Sequence, residues 1–385
     1  MNMKKILALI LALVMALGLV ACGNSSSSGS SGSTDNKKTD GAKVGIAMPT
    51  KSLERWNRDG SYLKSQFESA GYTVELTYSD NDVNQQVNDI ENLISDGVNI
   101  LIVAAIDGES LTTVLNSADE KSIPVISYDR LIRNTKAVDY YVSFDNYKVG
   151  VLQGQYVIDT LKLDAKDTSK TYNIEFTAGD PADNNAGFFF NGAFDTLKPF
   201  ISAGILKIIS GQKTFQEVAT ASWDTSTAMN RMQNILASYY SNGTQLDVAL
   251  CSNDSTALGV TQAIESDYAG TNTPIITGQD GDEANLKNIV NGKQSMTVYK
   301  AVANEAVVTL ALAQSILKGE KPDAGLTSQF TCECAYDTKS YDNGTGVIPS
   351  YLLTPSVVTK ANIQTELIDT GYYTMGTDGY PVAKK

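Results

Sequence analysis

Ile123-Pro-Val-Ile-Ser-Tyr-Asp-Arg-Leu-Ile-Arg-Asn134 decides the fold. Its apolar start, rich in Val and Ile, predicts a buried strand, and the run discharges into Asp129 and Arg130, two side chains suited to planar, bidentate hydrogen bonding. In open α/β sheets ligands bind in the crevice outside the carboxyl ends of the strands, so such an ending is site-like. The competing reading is a solvated Asp-Arg pair closing the strand. Whether the same placement recurs at other strand ends discriminates between the two.

Outward from this stretch the pattern alternates. Lys43 to Met48 predicts a strand, and Leu53 to Ala70 a helix with apolar residues at Trp56, Leu63, Phe67 and Ala70, closed by Gly71. Tyr72 to Tyr78 is a strand, Val83 to Ile94 marks a helix stopped near Gly97, and Ile100 to Ala105 is a strand. Glu109 to Lys121 is the helix that leads into the opening stretch. Beyond Tyr140 to Phe144 the alternation resumes. Strands are expected at Tyr172 to Thr177, Ile205 to Ile209, Asp247 to Cys251, Ile275 to Thr277 and Met296 to Tyr299. Helices are expected at Tyr147 to Leu161, Phe188 to Leu197, Ala228 to Tyr240, Thr256 to Glu265, Ala284 to Val290 and Asn304 to Leu317. Repeated strand-helix units give an α/β fold with parallel, doubly wound sheets and right-handed crossovers. There are too many strands for one compact sheet, so two similar lobes are expected, with Val347 to Val358 as a late strand-like segment and Asn362 to Ile368 as a short helix.

The 385-residue chain carries a net charge of −13 and contains no histidine. An acidic surface repels nucleic acid, and the missing histidine removes Ser-His-Asp and Cys-His nucleophilic machinery together with most zinc sites. Lys4 and Lys5 precede an apolar run from Ile6 to Leu19, which is short for a membrane span and fits a secretory signal peptide over residues 1–21. Leu19-Val-Ala-Cys22 resembles the bacterial lipobox, in which the cysteine becomes the lipidated first residue of the mature protein. Ser25 to Ser33 is almost wholly Ser and Gly, a tether over about residues 22–42 whose r.m.s. reach across about 20 residues is roughly 25 Å. The expectation is an extracytoplasmic domain held at the cell membrane by Cys22.

The strand-end placement does recur. After the first strand come Lys51, Arg55 and Trp56, and after the fourth, Asp129 and Arg130. In the second half Thr177 is followed by Asp183, Asn184 and Asn185, and Ile209, further on, by Trp223. Cys251 is followed by Asn253 and Asp254, Thr277 by Gln279, Asp280 and Asp282, and Tyr299 by Lys300. Carbohydrate recognition is the chemistry these groups share. Sugar hydroxyls both donate and accept, which carboxylate, amide and guanidinium groups match in pairs, and sugar C–H faces stack on aromatic rings. Blander readings exist for each: Trp56 lies on a helical stripe compatible with core, Asp183-Asn184-Asn185 suits a turn and helix cap, and Lys300 suits a solvated charge.

At these residues the chain also resembles a family. Lys51-Ser-Leu-Glu-Arg-Trp56, Tyr128-Asp-Arg-Leu-Ile-Arg133, Asp183-Asn-Asn185, Ser252-Asn-Asp254, Gly278-Gln-Asp280 and Val298-Tyr-Lys300 resemble, in order, the xylose-binding and multiple-monosaccharide-binding proteins of bacterial ABC importers. The resemblance runs from about Lys43 to Tyr373 and includes Pro349-Ser-Tyr-Leu-Leu-Thr-Pro355. It implies a type I periplasmic binding protein: two Rossmann-like lobes joined by a three-segment hinge, with the sugar clamped between them and no cofactor. The implied lobes are about 43–145 with 283–325, and 146–282 with 326–385. The implied sugar-binding set is Arg55, Trp56, Asp129 and Arg130 from the first lobe, Asp183, Asn185, Trp223, Asn253 and Asp280 from the second, and Lys300 from near the hinge. The implied partners are a monosaccharide and the ABC permease, with the binding protein a monomer. Gln329 to Asp337 departs from the family pattern, so nothing is carried over there.

Cys251 reads as a small buried residue, and Cys332 and Cys334, two apart, are spaced so that a disulfide is strained. A glycosidase is the enzymatic alternative, with Asp129 and Asp280 as the acid/base pair, but Arg130 and Lys300 nearby would hold both ionised. A transcriptional regulator of the same fold would begin with a DNA-binding helical domain. A receptor presenting the sugar to a chemotaxis or sensor-kinase partner would use the same cleft.

Overall fold

The computed structural model describes residues 41–384. The leader and the lipobox Cys22 lie outside them.

Five strands open the chain: β1 (Lys43–Met48), β2 (Thr73–Tyr78), β3 (Ile100–Val103), β4 (Val125–Tyr128) and β5 (Tyr140–Phe144). Between them run α1 (Glu54–Ser69), α2 (Val83–Ser95) and α3 (Thr112–Glu120). Every residue of β3, β4 and β5 is buried, as expected for parallel strands covered by helices on both faces. α4 (Asn146–Leu161) follows, then β6 (Tyr172–Thr177), α5 (Asn184–Ser202), β7 (Leu206–Lys207), α6 (Thr225–Ile235), β8 (Val248–Cys251), α7 (Asp254–Asp267), β9 (Ile275–Ile276), α8 (Glu283–Val290) and β10 (Met296–Tyr299). The chain closes with α9 (Val302–Leu317), β11 (Cys334–Asp337), β12 (Ser350–Leu353), β13 (Ser356–Thr359), β14 (Tyr373–Met375) and β15 (Pro381–Ala383).

The first sheet has seven strands in the order β11-β12-β5-β4-β3-β1-β2, all parallel except the edge strand β11. The second has four parallel strands, β7-β6-β8-β9, and a bridge from Gln279 to Val298 continues it to the antiparallel pair β10-β13. The chain passes between the sheets three times: between β5 and α4, between β10 and α9, and between β12 and β13. α9 packs on α1 and on β5, which places it with the first sheet.

Most expected elements are present, and the differences are instructive. The expected strand 205–209 is only the two-residue β7, and the helix expected from Phe188 starts at Asn184, because Asp183 caps it by accepting the Asn185 N–H at 2.9 Å. The single late strand expected over 347–358 is two, β12 and β13, in different sheets, with Thr354-Pro355 between them. Strand pairing also runs against the expected allocation of segments. Residues 283–299, expected with the first sheet, carry α8 and β10 of the second, while β11 and β12, expected with the second, complete the first. The three cysteines among the described residues, Cys251, Cys332 and Cys334, are free.

Candidate functional site

A narrow, largely filled cleft lies where the carboxyl ends of the two sheets face each other, lined by side chains from both. Nine of the ten expected residues line it: Arg55, Trp56, Asp129, Arg130, Asp183, Trp223, Asn253, Asp280 and Lys300. Asn185 does not. Its side chain is spent on the protein, donating to the Asp129 carbonyl at 2.7 Å, with its Oδ1 3.1 Å from Tyr141 Oη. Leu53, Phe189, Ser255, Gln279 and Asp282 also line the cleft.

Three lining residues have positive φ: Asp129 (56°), Trp223 (55°) and Asp280 (103°). Side chains other than Gly seldom adopt such conformations, at a cost of roughly 1–3 kcal/mol each, and they persist only where the surroundings over-determine them. At Asp129 that over-determination is explicit. Its carbonyl accepts from Tyr141 Oη at 2.6 Å, Ser143 Oγ at 2.8 Å and Asn185 Nδ2, and its N–H donates to Val142 at 2.7 Å. Trp223 is wedged by Gly179, where a Cβ would stand 1.9 Å from the indole, and by Phe189, with ring centroids 6.1 Å apart. Trp56 is both core and lining: it is 3% exposed, and the guanidinium carbons of Arg55 and Arg130 each lie 4.9 Å from its ring centroid.

The charges form one network. Arg55 reaches four carboxylates, Asp129 at 2.5 Å, Asp59 at 3.3 Å, Glu305 at 3.4 Å and Asp280 at 3.5 Å, and Lys300 lies 3.1 Å from Asp129. Arg130 lies 3.1 Å from Asp183 and donates to the Ala105 carbonyl. Burial pushes the Asp129 carboxyl up, but Arg55 and Lys300 outweigh it and hold it down at about 2. A group so firmly ionised is unsuited to donate a proton, which removes Asp129 as the acid of a glycosidase pair. Burial instead raises Asp59 and Glu305, behind Arg55, and raises Asp183 against the pull of Arg130. Asp282 is pushed up to about 7 by burial and by Glu54 and Asp280, against Arg58. Trp223 Nε1 and Gln279 Oε1 are buried without a protein partner, on side chains that line the cleft. Charged and amide groups interleaved with indole and phenyl rings suit a compact polyhydroxylated ligand with apolar faces. Among the described residues no cluster of side chains is arranged to hold a metal ion.

Comparison with known proteins gives the same answer. The periplasmic binding protein domain family matches residues 44–321. The multiple sugar-binding periplasmic receptor ChvE of Rhizobium radiobacter is 42% identical over 337 residues, covering 87% of this chain and 91% of the relative. The D-xylose-binding periplasmic protein of Escherichia coli is 33% identical, covering 86% and 91%. Among solved structures, an ABC transporter solute binding protein from Clostridium phytofermentans with bound β-D-glucose shares 51% identity and a TM-score of 0.81, covering 86% of this chain and 98% of that one. With two facing α/β sheets, a cleft between their carboxyl ends and these likenesses along most of its length, the chain belongs to the periplasmic binding protein family.

Proposed function

We propose that this chain captures a monosaccharide in the cleft and delivers it, chemically unchanged, to the membrane subunits of an ABC importer. One observation carries the reading: two tryptophans and a set of ionised, mutually paired groups converge on a small-ligand cleft from both sheets. Each buried charge is already partnered, so an incoming hydroxyl finds oriented donors and acceptors with little rearrangement. D-Glucose is the first candidate, supported by the likeness to two solute binding proteins solved with it, the second from Chloroflexus aurantiacus at 31% identity. Arg55, Trp56, Asp129, Arg130, Asp183, Trp223, Asn253, Asp280 and Lys300 touch the sugar, and Asn185 holds Asp129 in place. The lobes we infer follow strand pairing: 43–145 with 300–353, and 146–299 with 354–384.

Calorimetry with D-glucose, D-xylose, D-galactose and L-arabinose tests this. At least one binds with Kd below about 10 μM, the affinity of roughly −7 kcal/mol that a few buried charged hydrogen bonds and two stacked rings supply. Failure of all four refutes it.

We also infer, from Leu19-Val-Ala-Cys22, that the protein is lipid-anchored outside the cytoplasm and, from the family resemblance, that it is a monomer. Fractionation of Cys22→Ala decides the anchor: the variant leaves the membrane fraction and still binds sugar, whereas retention refutes lipidation.

A further inference from the structure

One face of α1 carries Glu54, Arg58 and Tyr62, four residues apart and therefore aligned, and all three reach across to the second sheet's side of the cleft. The Glu54 carboxylate accepts from the Glu283 N–H at 3.1 Å, at the start of α8, whose N-cap Asp282 makes no side-chain cap of its own. Arg58 donates to the carbonyls of Asp280 at 2.9 Å and Gly281 at 3.3 Å, and to the Asp282 carboxylate at 3.2 Å. One turn further along, Tyr62 Oη donates to the Lys384 carbonyl at 3.0 Å.

Arg58 and Tyr62 do not line the sugar cleft, and Arg58 is 9% exposed. Glu54 pairs with Arg58 at 2.7 Å within α1, which aims the guanidinium whether or not the second lobe is near. The other contacts exist only when the lobes meet. Of the three acceptors that Arg58 finds across the cleft, two are backbone carbonyls of the 280–282 turn. That turn presents Asp280, at φ 103°, to the ligand and to Arg55.

We propose that Glu54, Arg58 and Tyr62 form a closure clamp outside the sugar cavity, with Arg58 as a positioning residue that fixes Asp280 and sets how long the sugar stays bound. The proposal rests on reading the cleft as a sugar site. A hinge-closing protein admits ligand while open and releases it by reopening, so contacts made only on closure act on the release rate. Clamp residues therefore divide from sugar-contact residues in kinetics: removing one speeds dissociation and leaves association alone.

Stopped-flow tryptophan fluorescence with D-glucose makes the test on the full chain. Arg58→Gln raises the dissociation rate at least about tenfold, and association stays within about threefold of the parent. Tyr62→Phe, which deletes one hydrogen bond and is the variant safest for folding, raises dissociation about threefold. Unliganded melting temperature verifies that each variant is folded. Dissociation rates within twofold of the parent for both variants, or a loss that falls in association, overturn the clamp. If the parent binds no D-glucose, the same rates are measured with whichever of D-xylose, D-galactose and L-arabinose it binds; if it binds none, the sugar reading fails, and the clamp that acts on the bound sugar fails with it.

Discussion

Asp129→Asn is the most informative single substitution, because it removes a charge while keeping shape and the thrice-bonded carbonyl. The parent carboxyl is held down at about 2 against an ordinary 3.8 by Arg55 and Lys300, which favours the ionised, folded form by on the order of 2 kcal/mol. The folded-state value is depressed, so this stability is present above pH 3.8 and is lost as pH falls through about 2. At pH 3, between the two values, roughly half of that contribution is left. Denaturant unfolding of unliganded protein at pH 7 and pH 3 should thus show the variant less stable by on the order of 2 kcal/mol at neutral pH and by roughly half that in acid. Sugar affinity should fall by at least about a hundredfold at pH 7, since Arg55 and Lys300 lose a shared buried partner as well as the hydroxyl contact. An equal stability gap at both pH values would mean that the Arg55–Asp129–Lys300 electrostatics are not what holds the site, and an unchanged affinity would remove Asp129 from it.

Other substitutions follow from the same geometry. Trp223→Ala should cost about 2–4 kcal/mol of sugar binding and, because the ring is 4% exposed and packed on Phe189, also lower the unliganded melting temperature; parent-like calorimetry on the best sugar refutes its placement. Gly179→Ala should displace that indole, since the new methyl group would collide with a rigid ring, and should weaken sugar binding at least about tenfold; unaltered affinity by calorimetry refutes it. Asn185→Ala should weaken binding by about 1 kcal/mol through Asp129, while Asn185→Asp, which keeps the acceptor for Tyr141 but loses the donor to the carbonyl, should do no better; rescue by Asp in a titration counts against this role. Intrinsic fluorescence should shift on sugar binding, as the chain has only two tryptophans and both line the cleft; indifferent emission on saturation refutes the assignment.

The strand-end residues were legible because the doubly wound pattern repeats, and each repeat aims its polar ending at the same crevice. Gln279 and Asp282 stand at the same strand end as Asp280, so that pattern marks them, although the resemblance singles out Asp280 alone. Phe189 is hidden among Phe188-Phe189-Phe190, where sequence does not say which ring faces the cleft. Asn185 sits in the right loop, but hydrogen-bond partners more than forty residues away fix the direction of its amide. Arg58 and Asp59 follow Arg55 at helical spacing, and Glu305 interrupts an apolar helix; both are signals of a buried charge network that no local rule completes. Sheet membership was the least legible feature, because β12 and β13 are nearly contiguous and equally strand-like, and only distant partners assign them to different sheets.

That late strand also sets the order in which the chain can mature. β12 inserts between β5 and β11, with Ser350 opposite Tyr141, more than two hundred residues upstream. Until the last tenth of the polypeptide has emerged, β5 is an unpaired, wholly buried-type edge, and a fragment ending before Ser350 exposes it to aggregation. Contacts of such long range also slow acquisition of the native state.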